Sequence, residues 1–256
     1  MPKFCANLGF MYSELPFADR IAAAARAGFK AVEFPYPYDF DRNQINDLVK
    51  QHNLVQVTIN TPKGGGRGMA CDPDRIGEFQ DGLGECIEHA VLYGTSRIHV
   101  LAGDAPDGKP RDVLMRTYRD NVRFAARAFA KHNIRALIEA INNKVDGPRY
   151  FMHMPSEALA TVRELNEPNL KLDFDFYHVQ IMQGNLIPFF KEALPDVGHV
   201  QIADTPGRHE PGTGEINYAS IFRMLEEVGY TDWIGAEYKP KGKTTAEGLG
   251  WIKPYL

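Results

Sequence analysis

The chain has 256 residues, 44% of them hydrophobic and 24% charged, with a formal net charge of -4, which is ordinary for a globular protein and lacks the basic footprint of a nucleic-acid binder. No apolar run reaches the roughly 20 residues that a membrane span needs, and Met1-Pro2-Lys3-Phe4-Cys5 lacks the apolar core of a signal peptide. The three cysteines, Cys5, Cys71 and Cys86, form no close pairing motif, so a reduced, cytoplasmic protein with no membrane partner is expected.

Strand and helix signals alternate along the chain. Residues 4–9 read as a first strand, and residues 16–28 as an alanine-rich helix stopped by Gly28. Residues 31–34 give a second strand carrying Glu33, and Asp41 caps a helix over residues 41–52. Residues 54–60 form a third strand, rich in β-branched side chains. A glycine-rich loop follows, containing Lys63-Gly64-Gly65-Gly66-Arg67-Gly68. It lacks the ending of a P-loop and reads as a mobile loop of the site.

Residues 74–93 are a helix that Gly94 ends, residues 97–101 a fourth strand, and residues 110–132 a long helix. The fifth strand is Arg135-Ala136-Leu137-Ile138-Glu139-Ala140-Ile141-Asn142. A loop then leads to a helix that Ser156 should cap. The sixth strand ends at Asp175 and precedes a short helix over residues 188–194. The seventh carries Gln201, a helix covers residues 218–229, the eighth strand carries Glu237, and a short helix closes the chain. Eight such units predict one domain over residues 1–256, an α/β fold closed as a single (β/α)8 TIM barrel. An open doubly wound sheet is the competitor. Phe10-Met11-Tyr12-Ser13, after the first strand, lacks the glycine fingerprint such a sheet usually carries there.

Four successive strands thus end near an oxygen-bearing side chain: Glu139, Asp175, Gln201 and Glu237. One such residue alone often just caps the next helix. Four together, at the mouth where parallel barrels hold their sites, suit a hard cation such as Mg²⁺ or Mn²⁺. His178 could polarise a substrate oxygen, or simply bond to backbone. Arg208 could grip an anionic substrate through its planar fork, or be a solvated loop residue. Lys63 and Arg67 could attract an anion, though simple solvation is the favoured reading, His199 reads as structural, and Glu33 has no assigned role. Cys71 is a weak nucleophile candidate.

The segments Phe4-Cys5-Ala6-Asn7-Leu8, Gly28-Phe29-Lys30-Ala31-Val32-Glu33-Phe34, Leu137-Ile138-Glu139-Ala140, His199-Val200-Gln201-Ile202-Ala203, Arg208-His209-Glu210-Pro211, Gly214-Glu215-Ile216-Asn217-Tyr218 and Gly235-Ala236-Glu237-Tyr238-Lys239-Pro240 span almost the whole chain. They resemble the xylose-isomerase-like barrels, and within them the hydroxypyruvate isomerase and 2-oxo-tetronate isomerase family. The resemblance implies that Glu139 and Glu237 are the acid–base pair. It implies Glu139, Asp175, Gln201 and Glu237 as ligands of a divalent cation. The implied reaction interconverts a small 2-oxo acid and its aldehyde isomer through an enediolate, for example hydroxypyruvate to tartronate semialdehyde. A homo-oligomer is compatible with it. A ketose 3-epimerase or an inosose-type dehydratase is the alternative on the same scaffold, although the epimerases usually carry histidine where this chain has Gln201. A non-catalytic sugar- or metal-binding barrel is the alternative of another class. The related apurinic endonuclease has a histidine-rich zinc cluster that this acidic chain lacks.

Overall fold

The computed structural model describes residues 1–255. Its first half contains β1 (Lys3–Asn7), α1 (Phe17–Arg26), β2 (Ala31–Glu33), α2 (Arg42–Gln51), β3 (Val55–Gln56), β4 (Ile59–Asn60), α3 (Ile76–Tyr93), β5 (Arg97–His99) and α4 (Arg111–Ala130). Its second half contains β6 (Arg135–Glu139), α5 (Pro155–Leu165), β7 (Leu170–Asp175), α6 (Phe176–Met182), α7 (Leu186–Ala193), β8 (Val197–Ile202), α8 (Tyr218–Glu227) and β9 (Trp233–Ala236). Two 3₁₀ segments, Thr245–Trp251 and Lys253–Tyr255, follow. None of these helices is long and apolar enough to cross a membrane.

All the strand pairings are parallel, in the order β3-β2-β1-β9-β8-β7-β6-β5-β4. The third predicted strand is divided. Its first half, β3, pairs with β2, and its second half, β4, pairs with β5. Only Val57 and Thr58 separate the halves, and backbone bonds run on through the join: Val57 N–H donates to Val32 O at 2.9 Å and Thr61 N–H to His99 O at 2.8 Å. This segment therefore changes neighbours midway, with β3 at one end of the sheet order and β4 at the other.

The helices start and stop where elementary chemistry places them, with exceptions. Asp41 Oδ1 accepts from Asn43 N and Gln44 N at the start of α2. Gly94 ends α3 at φ 67°, a conformation that costs glycine little. At α5 the expected cap is wrong: Met154 is the N-cap and Pro155 opens the helix, so Ser156 already lies inside it. A helix unforeseen in the sequence, α6, begins immediately after β7, with Asp175 as its N-cap accepting from Tyr177 N at 2.9 Å. The helix predicted over residues 188–194 is α7, shifted to Leu186–Ala193.

One cluster of buried apolar side chains runs through the whole chain, from Phe4 to Ile252. Inside the sheet a second population is polar and buried: Glu33, Arg97, His99, Asp173 and His199. Arg97 pairs with Asp232 at one end of this interior. Such groups are costly unless paired, which directs attention to the other end of the strands.

Candidate active site

The parallel register brings the strand ends level. Asp175 pairs with Gln201, and Gln201 with Gly235, two residues before Glu237. Glu139 is the last residue of β6, and Glu237 follows β9 with its N–H still on Ile202 O at 3.1 Å. Glu139, Asp175, His178 and Glu237 each place one atom within 4.8 Å of the others. Gln201 joins them with Nε2 3.3 Å from Glu237 Oε1. All the residues singled out at the strand ends thus meet at one rim.

Crowded, buried carboxylates resist ionisation. Burial, then Asp173, Glu237 and Asp175, hold the Glu139 carboxyl well above its ordinary range. Burial raises Asp175 to about 6 and Glu237 to about 8, against the opposing pull of Arg208. Glu139 Oε1 and Asp175 Oδ2 are buried without any hydrogen-bond partner. The donor that faces both is His178 Nε2, standing off at 3.5 Å from each. The α6 turn explains its place, because residues three apart share a helix face.

The tautomer of His178 is fixed by a neighbour that the sequence did not flag. Asn142 Oδ1 accepts from Val145 N and Asp146 N, so its Nδ2 must face the other way. That Nδ2 lies 2.7 Å from His178 Nδ1, and Asn142 N–H donates to the same atom at 3.3 Å. A ring nitrogen accepting two donors carries no proton. The Nε2–H of neutral His178 therefore points between the two carboxylates. Burial keeps the ring neutral, lowering its pKa well below the usual value.

Arg208 is neither solvated nor free. Its Nη2 bonds the Glu237 carboxylate and lies 3.6 Å from Asp175 Oδ2, while Nη1 lies 3.4 Å from Asp146 Oδ1. The guanidinium is sandwiched between the rings of Phe10 and Tyr177, at 4.5 and 5.1 Å. Its loop is gathered by one side chain: Asp204 accepts from the backbone N–H groups of Thr205, Gly212, Gly214 and Ile216.

The glycine-rich loop is anchored. Arg67 donates to Asp146 O, Arg75 donates to Gly64 O at 2.7 Å, and Gly68 pairs with Ala102. Lys63 Nζ lies 4.8 Å from the Tyr36 ring centroid. Cys71 is buried, and burial pushes its thiol up to about 12, which disfavours the thiolate a nucleophile needs.

Sequence reasoning left Glu33 without a role, although it too ends a buried strand. Its carboxylate accepts from Asn7, Gln201, His199 and, at 3.5 Å, the Cys5 thiol. Burial pushes Glu33 up, but His199, Gln201 and Asn7 outweigh it and hold the carboxyl below its ordinary range. His199 Nε2 lies 2.7 Å from Glu33 Oε2.

A family model described as the xylose isomerase-like TIM barrel matches residues 21–255. The chain belongs to that family. Among xylose isomerase-like relatives, the 2-oxo-tetronate isomerase of Cupriavidus necator is 42% identical, covering 100% of this chain and 99% of its own. The hydroxypyruvate isomerase of Escherichia coli is 39% identical, with 100% of both chains covered. A crystal structure described as an AP endonuclease, family 2, from Brucella melitensis superposes with a TM-score of 0.96 at 42% identity, covering 100% of this chain and 99% of that one. The 3-keto-D-glucoside 4-epimerase of Escherichia coli shares the family fold, with a TM-score of 0.83 at 19% identity over 99% of both chains. The resemblance drawn from the sequence is borne out.

Proposed function

We propose that this enzyme isomerises a small 2-oxo acid by proton transfer between Glu139 and Glu237, converting hydroxypyruvate to tartronate semialdehyde or acting on a 2-oxo-tetronate. The observation that carries the reading is the meeting of these two glutamates at one rim, both shifted upward by burial. A carboxyl titrating nearer neutrality is a better proton shuttle than an ordinary one. One glutamate takes the proton from the hydroxyl-bearing carbon, leaving an enediolate over the two carbons. The proton is returned to the former carbonyl carbon. The other glutamate takes the hydroxyl proton and supplies one to the former carbonyl oxygen, so atoms and charge balance. His178 Nε2–H serves as a neutral donor at the same place, and Arg208 supplies positive charge for an anionic substrate.

The two buried carboxylate oxygens without partners fit a hard divalent cation, Mg²⁺ or Mn²⁺. Glu139, Asp175, Gln201 and Glu237 would hold it. When bound, it would stabilise negative charge developing on the substrate oxygens. The tautomer of His178 leaves its Nε2 protonated, which makes it a donor beside the cation rather than a ligand.

The same reading counts β3 and β4 as halves of one strand, so the sheet is a closed eight-stranded barrel forming one domain. The join at Val57 and Thr58 supports it. DNA repair is disfavoured: among the described residues each cluster of potential ligands contains a single histidine, and the chain is acidic.

The test is proton NMR in D₂O with hydroxypyruvate and with a 2-oxo-tetronate. Product formation and solvent deuterium at carbon are expected for one of them. Neither turnover nor exchange with either substrate overturns the proposal.

A further inference from the structure

Glu33, a buried carboxylate outside the cluster of Glu139, Asp175, His178 and Glu237, is wired to Glu237. Asn7 Nδ2 donates to Glu33 Oε1 at 2.9 Å and to Glu237 Oε1 at 2.8 Å. Gln201 Nε2 donates to the same two atoms, at 2.8 and 3.3 Å. Two amides therefore bridge two carboxylates, one hydrogen to each. The orientation of Asn7 is fixed independently, since its Oδ1 accepts from Gly9 N at 2.9 Å. Gly235 clears the space: a Cβ there would sit 2.4 Å from Glu33 Oε1. His199 anchors the far oxygen at 2.7 Å.

A buried charge needing this many donors is an expensive way to fill a core, and apolar residues would be cheaper. Its effect falls on one atom. Glu237 Oε1 already accepts two amide hydrogens, whereas Oε2 accepts from Arg208 Nη2, which itself lies 3.6 Å from Asp175 Oδ2.

We infer that Glu33 is a positioning residue of the acid–base pair: through Asn7 and Gln201 it holds Glu237 so that Oε2, not Oε1, exchanges the proton. The inference rests on the proposed role of Glu237. Glu33 touches nothing that reacts and acts only through the two amides.

The test is a double-mutant cycle on the full chain. Glu33→Gln and Gly235→Ala are made in the wild type and in a Glu237→Gln background. Gly235→Ala displaces the Glu33 carboxylate without altering its charge. In the wild type each should lower kcat by about 10- to 100-fold, the scale expected of a misplaced reacting group, with KM changed less than about twofold. In the Glu237→Gln background neither should lower kcat further. Equal losses in both backgrounds, a change confined to KM, or no loss of kcat would overturn the inference. If Glu33→Gln does not fold, Gly235→Ala and Asn7→Ala carry the same comparison. Full turnover by Glu237→Gln alone would instead remove the proposed role of Glu237, so the two failures are distinguishable.

Discussion

Arg208 grips Glu237 at both ends: Nη2 bonds its carboxylate, and Nε donates to its main-chain carbonyl at 3.3 Å. The same guanidinium reaches toward Asp175 and Asp146. One cation thus answers for several buried acids. Arg208→Gln should lower stability by about 3 kcal/mol, because removing one partner of a buried pair strands the other. It should also raise KM for the 2-oxo acid more than it lowers kcat. Denaturant melts and steady-state kinetics check both, and an unchanged KM would remove Arg208 from substrate binding.

Glu139→Gln and Glu237→Gln keep side-chain size but cannot take a proton. Each should cost on the order of 10² to 10⁴ in kcat with the fold intact. The double variant should lose less than the product of the single losses, since both groups serve one transfer sequence. Circular dichroism and kcat measurements decide this. Unchanged turnover in both single variants would end the proposed mechanism.

Metal loading has a readout independent of activity. A cation bound only to the folded state at about 100 times its Kd should add about 2.7 kcal/mol of stability. Titrating chelated protein with Mg²⁺ or Mn²⁺ while following Tm measures this. Asp175→Asn should shrink the shift. A Tm indifferent to either cation, with full activity after chelation, would count against a cation at this site.

Acid should unfold the protein partly through His99. Burial, with His199 adding to it, holds His99 down to about 3. An unfolded histidine titrates near 6.5. Between about 3 and about 6.5 the unfolded chain binds the extra proton, so this group makes stability rise with pH across that window. His99→Asn should flatten the dependence. Urea melts at several pH values between 4.5 and 6.5 compare the slopes, and equal slopes would exclude His99.

The strand-end acids were legible because each interrupts or ends an apolar run, a local signal. The split of residues 54–60 was not, since it depends on which distant strand each half meets: Val32 for one, His99 for the other. Helix α6 has seven residues, too few to show a hydrophobic period. Ser156 looked like a cap because serine favours that position, but Pro155 itself opens the helix and puts Ser156 inside it. Asn7 and Asn142 carried no signal, as an amide's importance lies in what folding places beside it. Glu33 did carry the signature, but its partners, Asn7, His199 and Gln201, come from β1 and β8.

Asp204 contacts neither Arg208 nor any of the clustered acids in the bonds described, yet four backbone amides hang on its two oxygens. The loop that delivers Arg208 therefore leans on this one side chain more than on any other, beside backbone bonds such as Lys239 N–H to Arg208 O at 2.7 Å. In a random-mutagenesis screen for lost turnover, Asp204 should score with the glutamates while lying outside the reacting shell. Among the residues whose amides it holds, Thr205 should tolerate exchange best, whereas a Cβ at Gly214 would sit 2.2 Å from Thr205 O and Ile216 is packed in the core.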